Sequence, residues 1–278
     1  MYKIVASDMD DTFLASDHSV PAANVEAIRR LRELGCLFVP SSGRAYGSIM
    51  ESLRAVPTEL MEGSYVISYN GGCITRVGDD APLSSHSLPF ERVRALFEYG
   101  LEQAGLSFHV YELGGKVWTY RLQQDERDYL EGHMGHEELR EGSIDFLRDV
   151  PLAKILYCLP DGLSELHRIL DQMPRELWEG TLPTFSSHRY LEFNPEGVDK
   201  GAGLRRLAEL LGVGTEQTIG CGDSLNDLAM IRAAGVGVAV ANASDGIELE
   251  ADYHARSTND DGVIAEVVRE LVEPAARS

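Results

Sequence analysis

Two aspartates, Asp8 and Asp10, stand two positions apart directly after the apolar run Ile4-Val5-Ala6. Such a run reads as a buried strand of a parallel sheet. Ligand crevices in open α/β sheets lie beyond the carboxyl ends of those strands. If the strand continues through both aspartates, their side chains project to the same side. Carboxylates held that close repel unless a proton or a cation sits between them, and a set of hard oxygen donors suits Mg²⁺. For the pair alone, a strand running into a solvated acidic turn, with Asp11-Thr12 as turn residues, is the simpler reading.

Three further groups of reactive residues follow runs of the same kind. Cys36-Leu37-Phe38-Val39 leads into Pro40-Ser41-Ser42-Gly43-Arg44. Hydroxyls, free amides and a helix start there would seat an anion, or would simply cap the helix. Lys200 opens another helix, although a cation in the first turn opposes the helix dipole. Either a chemical task holds it there or it snorkels to the surface. Gln217-Thr218-Ile219-Gly220-Cys221 then feeds Gly222-Asp223-Ser224-Leu225-Asn226-Asp227. That segment offers two acids and an amide, or a plain N-cap by Asp223 or Ser224.

The elements that would position these residues alternate as strand and helix. Val25, Ile28, Leu31 and Leu34 recur at helical spacing between Pro21 and Gly35, which suit the first turn and the stop. Tyr65-Val66-Ile67-Ser68-Tyr69 reads as a third strand, with Asn70-Gly71-Gly72 turning into a hairpin. The character changes near Pro82, where a polar, proline-bounded stretch begins, and a counterpart spans 183–188. Between them we expect helices at 90–104, 125–140 and 163–173 and strands at 107–111, 116–120 and 153–159. Such an insert suggests a second, α+β domain. His133-x-x-His136-Glu137 lies in it, but its spacing is not that of a zinc helix and a solvated face suffices. Tyr111, Trp118 and Tyr120 fall on strands of this insert, as core or sheet-face residues. Alternation resumes with a strand at 189–193, a helix from Lys200 with Leu204, Leu207, Leu210 and Leu211 on its apolar face, a strand at 236–240 and a terminal helix at 260–272.

Composition limits the partners. The formal charge is −20 and the sequence pI about 4.7. That balance argues against nucleic acid and anionic membranes, which are gripped through Lys and Arg. A small anion is not excluded, because charges beyond about 8 Å are screened at physiological salt and a nearby cation outweighs them. With 44% hydrophobic and 25% charged residues the chain reads as globular, and its apolar runs are too short for a membrane span. The N-terminus does not read as a signal peptide. Cys36, Cys73, Cys158 and Cys221 are scattered, with no CxxC pair. A zinc site or disulfide framework is not indicated, and the cytoplasm is the expected location.

In combination the four groups say more than each does alone. Asp8-x-Asp10, a hydroxyl at Ser42, Asn194-Pro195-x-Gly197-Val198-x-Lys200-Gly201 and Gly222-Asp223-Ser224-x-Asn226-Asp227, in that order, resemble the haloacid dehalogenase superfamily of phosphotransferases. The insert resembles the α+β cap of its Cof-type, class IIB branch. Two departures, Asp11 where glycine is common and Ser42 where threonine is common, remove no functional group. The resemblance implies a Rossmann-like, doubly wound α/β core over 1–82 and 188–278 with a cap over 83–187. It implies an Mg²⁺-dependent phosphatase for a small phosphorylated metabolite, with no nucleic acid, membrane or obligatory protein partner. Asp8 would be the nucleophile and Asp10 the general acid and base. Asp8, the Asp10 backbone carbonyl and Asp223 would hold the metal, with Asp227 behind them. Ser42, the Gly43 amide, Lys200 and Asn226 would bind the phosphoryl oxygens, and Lys200 would keep Asp8 ionised despite its acidic neighbours. Arg44, Asn70 and His188 are candidate contacts for the leaving group. A phosphomutase of the same fold and a slow aspartyl-phosphate switch are the alternatives.

Overall fold

The computed structural model describes the chain apart from Gly132, His133, Ser187, His188, Asp245 and Ser278. The expectations for His133 and His188 therefore fall outside the described residues. The chain divides into two compact units, Met1–Ser84 with Asp199–Ser278, and Ser85–Val198.

The first unit begins with β1 (Ile4–Ser7), every residue of which is buried, followed by β2 (Leu37–Pro40), β3 (Tyr65–Ser68), β4 (Cys73–Arg76) and a two-residue β5 (Ser84–Ser85). Between β1 and β2 the helix Ala22–Glu33 runs from behind Pro21 to Gly35, whose φ of +66° ends it. Strands β3 and β4 pair antiparallel around a tight turn.

The inserted unit adds β6 (Ser107–Glu112), β7 (Val117–Tyr120), β8 (Glu137–Glu138), β9 (Leu152–Cys158), β10 (Thr181–Ser186) and β11 (Tyr190–Pro195). They form one sheet in the order β10-β11-β9-β6-β7-β8. Alternation along the strands gives it one apolar side, where Phe108, Val110, Ile155, Tyr157, Leu191 and Phe193 cluster with Leu96 and Phe97 of the helix Phe90–Leu101 and Leu166 and Ile169 of the helix Leu163–Gln172. Residues of the opposite parity include His109, Lys154 and Glu192, all buried, with Lys154 and Glu192 ion-paired. Two sequence expectations shift here. The strand at 190–195 does not return to the first sheet, because it pairs with β9 and β10; the boundary of the unit thus lies after Val198, not before residue 188. The helix expected over 125–140 stops at Leu130, Glu131 being extended.

The chain then returns to the first unit through β12 (Thr218–Gly222), β13 (Val236–Ala239) and β14 (Tyr253–His254), giving a parallel sheet in the order β14-β13-β12-β1-β2. Ser7 of β1 is in register with Cys221 of β12 on one side and Pro40 of β2 on the other. The residues that follow these strands, Asp8, Ser41-Ser42 and Asp223, are therefore delivered to the same edge of the sheet. Helix Lys200–Leu211 packs Leu204, Leu207 and Ala208 onto Ile4, Ala6 and Val39. Leu210, expected on that face, is exposed. The C-terminal helical segment starts at Val263, behind Gly262. Among the described residues no helix is long and apolar enough to cross a membrane.

Candidate active site

Strand β1 ends at Ser7, and Asp8 leaves it with its amide donating to the Cys221 carbonyl at 2.9 Å. The strand does not run on through Asp10. Met9–Phe13 coils instead, closed by Leu14 N donating to Met9 O at 2.8 Å and broken at Asp10 (ψ 135°) and Asp11 (φ +55°). The left-handed backbone at Asp11 is the conformation for which glycine is the ordinary choice and which aspartate tolerates best among charged residues. Burial of Met9, Thr12 and Phe13 anchors the coil. Asn24, fully buried, clamps it from outside, donating to Phe13 O at 2.9 Å and accepting from Ile264 N at 3.0 Å.

Asp8 and Asp10 consequently take different partners. The Asp8 carboxylate turns inward onto Lys200, whose Nζ donates to Asp8 Oδ1 and, at 2.5 Å, to Asp227 Oδ1. Asp10, 45% exposed, meets Arg44, whose Nη2 donates to its Oδ1 at 2.8 Å. Lys200 has no exposed surface at all. It reaches this position because Asp199 caps the helix, accepting from Ala202 N at 2.6 Å. The turn before β4 also lies hard against the helix start, where Gly71 (φ +96°) leaves only 2.2 Å between a Cβ and Asp199 O.

Asp227 is fully buried and its Oδ2 accepts from the amides of Asp223 and Ser224, each at 3.1 Å. This is the capping box of the turn after β12. It needs Gly222, where a Cβ would come within 2.3 Å of Asp227 Cβ. Asp223 Oδ1 accepts from Thr12 Oγ1 at 2.8 Å, so the first loop and the last are joined directly. Thr12 was legible only as a turn residue in the sequence. Ser42 is buried; its Oγ accepts from Arg44 N at 3.2 Å and its carbonyl from Asn70 N at 2.9 Å. Gly43 faces the Asn70 side chain, 3.1 Å from where a Cβ would stand, and Asn70 Oδ1 has no hydrogen-bond partner among the described residues. Asn226 turns back to Ser224, accepting from its hydroxyl at 2.6 Å.

The structure thus brings Asp8, Lys200, Asp223 and Asp227 together and sets Ser42 at the neighbouring strand end. Asp8, Asp223 and Asp227 each offer a carboxylate oxygen within 4.8 Å of the others. Three acids against one ammonium leave negative charge uncompensated, and the titration directions show it. Burial, then the charge of Asp227, push Asp8 well above the usual carboxylate range although Lys200 pulls the other way. Lys200 favours the ionised carboxylate, but burial and the acidic neighbours outweigh it. Burial, then Asp227, raise Asp223 to about 6 against the Thr12 hydrogen bond. Lys200 is raised in turn: burial opposes this, and Asp227 and Asp8 prevail. A hard divalent cation among these oxygens would supply the missing charge, so the donor set fits one.

The haloacid dehalogenase-like hydrolase family model matches residues 5–267 of the chain. The chain belongs to this family. Within it, YxeH of Bacillus subtilis is 30% identical over 273 residues, covering 98% of this chain and 99% of its own. The 5-amino-6-(5-phospho-D-ribitylamino)uracil phosphatase YcsE of the same organism is 29% identical over 97% of this chain and 96% of its own. A haloacid dehalogenase-like hydrolase from Bacteroides thetaiotaomicron, solved by crystallography, is 29% identical and superposes with a TM-score of 0.83 over 98% of this chain and 100% of that one. The hydrolase is thus of the Cof-type, class IIB branch that its motifs resemble, with the Rossmann-like α/β core and inserted α+β unit of that fold.

Proposed function

We propose that this hydrolase is an Mg²⁺-dependent phosphatase that cleaves a small phosphomonoester through an aspartyl-phosphate on Asp8. The observation that carries the reading is the buried Lys200 ammonium shared by Asp8 and Asp227 inside a three-carboxylate cluster that still lacks positive charge. In the first step an Asp8 oxygen attacks phosphorus in line and the ester P–O bond breaks, while Asp10 gives its proton to the departing oxygen. In the second, Asp10 takes a proton from the water that attacks the aspartyl-phosphate. Phosphate leaves and the Asp8 carboxylate is restored. Ser42, the Gly43 amide, Lys200 and Asn226 hold the phosphoryl oxygens, where charge neutralisation and alignment supply most of the acceleration. Asp8, the Asp10 carbonyl and Asp223 would hold Mg²⁺, which when bound supplies charge opposite a phosphoryl oxygen. Asp227, tied to Lys200 and to the Asp223 amide, sets both in place.

The small phosphorylated metabolite is supported by the acidic surface, which disfavours nucleic acid and membranes as partners. A cytoplasmic location is supported by four cysteines that are all free and buried. Release of inorganic phosphate from 4-nitrophenyl phosphate tests the reading. Turnover in Mg²⁺, none in excess chelator and none in Asp8→Asn are expected; full activity in chelator or in the variant would refute it. Phosphate passed to a second substrate hydroxyl instead of water would indicate a mutase, and an aspartyl-phosphate outlasting minutes a switch.

A further inference from the structure

Arg44 is a candidate for touching the leaving group, but both of its terminal nitrogens bond within the protein, and only Nε, buried, has no hydrogen-bond partner among the described residues. Nη2 donates to Asp10 Oδ1 at 2.8 Å and Nη1 to Ser52 Oγ at 3.1 Å; the Ser52 hydroxyl donates on to Ser48 O at 3.3 Å. The backbone of Arg44 is fixed as well, its amide donating to Ser42 Oγ at 3.2 Å and its carbonyl accepting from Tyr69 N at 3.1 Å. We propose that Arg44 is the positioning residue of Asp10, fixing the orientation in which its carboxyl meets the leaving group. The inference rests on the phosphatase reading above.

Nothing else in the loop holds the Asp10 side chain with comparable force. The backbone around it is irregular, with ψ of 135° at Asp10 and φ of +55° at Asp11, and the side chain is 45% exposed. Left alone, it would sample several rotamers. His18 Nδ1 comes to 3.8 Å from the same Oδ1, too far for a hydrogen bond. No hydrogen bond or ion pair among the described residues reaches Oδ2. The charge-assisted bond from the guanidinium holds Oδ1, and with it the orientation of the whole carboxyl. Arg44 thereby gives the acid–base group one defined orientation. The Ser42 hydroxyl, expected on the phosphoryl group, accepts from the amide of this same arginine. One short loop after β2 then fixes the phosphate and the proton carrier relative to each other, the alignment on which proton transfer depends.

The test compares two aryl phosphates of similar shape and different need for a proton. Nitrophenolate leaves 4-nitrophenyl phosphate unaided, whereas phenyl phosphate needs acid assistance. In Arg44→Met we expect kcat/KM for phenyl phosphate to fall by about thirtyfold or more, a large part of the roughly hundredfold or more that a general acid supplies, and that for 4-nitrophenyl phosphate by less than about threefold. Arg44→Lys should recover part of the ratio, and Asp10→Asn should reproduce it. Because the two substrates are read on the same preparation, a loss of folded protein cancels from the ratio. Equal losses on both substrates, or no loss on either, would overturn the role of Arg44 and leave the phosphatase reading standing. Wild-type protein inert towards both would overturn the phosphatase reading, and the inference with it.

Discussion

Replacing Lys200 by methionine removes one charge from a place that water does not reach. The unbranched stem is kept, so packing changes little. What disappears is the ammonium that Asp8 and Asp227 share, with Lys200 and Asp227 wholly without exposed surface. Removing one partner of a buried ion pair costs about 3–5 kcal/mol, because the other charge is left unpaired. Here two carboxylates lose their cation, but Asp8 is already held well above the usual range by burial and by Asp227. It will take up a proton, which relieves part of the cost and places the expectation near the lower end, about 3 kcal/mol. The sign with pH follows. A carboxyl whose folded value is raised binds protons preferentially in the folded state, so its stabilisation is present at low pH and is lost as pH rises through that value. The deficit of Lys200→Met should therefore shrink between neutral pH and about pH 5. Activity should fall by at least about a hundredfold, since a charge aimed at the phosphoryl group is gone and a protonated Asp8 is no nucleophile. Urea denaturation in chelator, followed by circular dichroism at the two pH values, and 4-nitrophenyl phosphate turnover in Mg²⁺ measure both. A variant as stable as wild type at neutral pH and within about threefold of its activity would refute the role of this lysine.

Glu266 accepts hydrogen bonds from Arg256 N, Ser257 N and Tyr253 Oη; burial alone would raise its carboxyl, but these bonds hold it down at about 2. Glu266→Gln should cost about 3 kcal/mol near neutral pH in chemical denaturation, a deficit that narrows as pH falls from about 4.5 towards 2. Gly71→Ala forces a Cβ to 2.2 Å from Asp199 O at φ +96°; a loss of about 1–3 kcal/mol is expected, together with reduced activity through displacement of Lys200, read by thermal melting and turnover. Saturating Mg²⁺ should raise the melting temperature of the wild type, because a ligand bound to the folded state alone stabilises it, and should do so far less in Asp223→Asn.

The parts of the site visible in the sequence are those where chemistry follows a strand end. Asp8, Ser42 and Asp223 could be placed on one edge because β1, β2 and β12 are short apolar runs and parallel pairing in register does the rest. Lys200 stood out because a cation in a first helical turn is costly, and its burial between Asp8 and Asp227 explains it. What the sequence concealed depends on contacts between distant segments. The coil after Ser7 gives Asp8 and Asp10 different partners, a matter of two backbone angles that no residue type announces. The bonds Thr12–Asp223, Asn24–Phe13 and Arg44–Asp10 join loops or helices whose sequence pattern reads only as turn or cap. The strand expected at 189–193 within the core pairs in the inserted unit instead, because its apolar pattern says that it is buried and not what it pairs with.

The account stands or falls on a phosphoryl group reaching Asp8. Asp10→Asn, incubated with substrate and Mg²⁺ and quenched in acid, should accumulate the intermediate, because the proton acceptor for its hydrolysis is missing. Mass spectrometry of the peptide containing Asp8 should then show the addition of one phosphoryl group, absent from Asp8→Asn. Substrate turnover with that peptide unmodified at every time point, or a phosphoryl group on another residue, would contradict the mechanism.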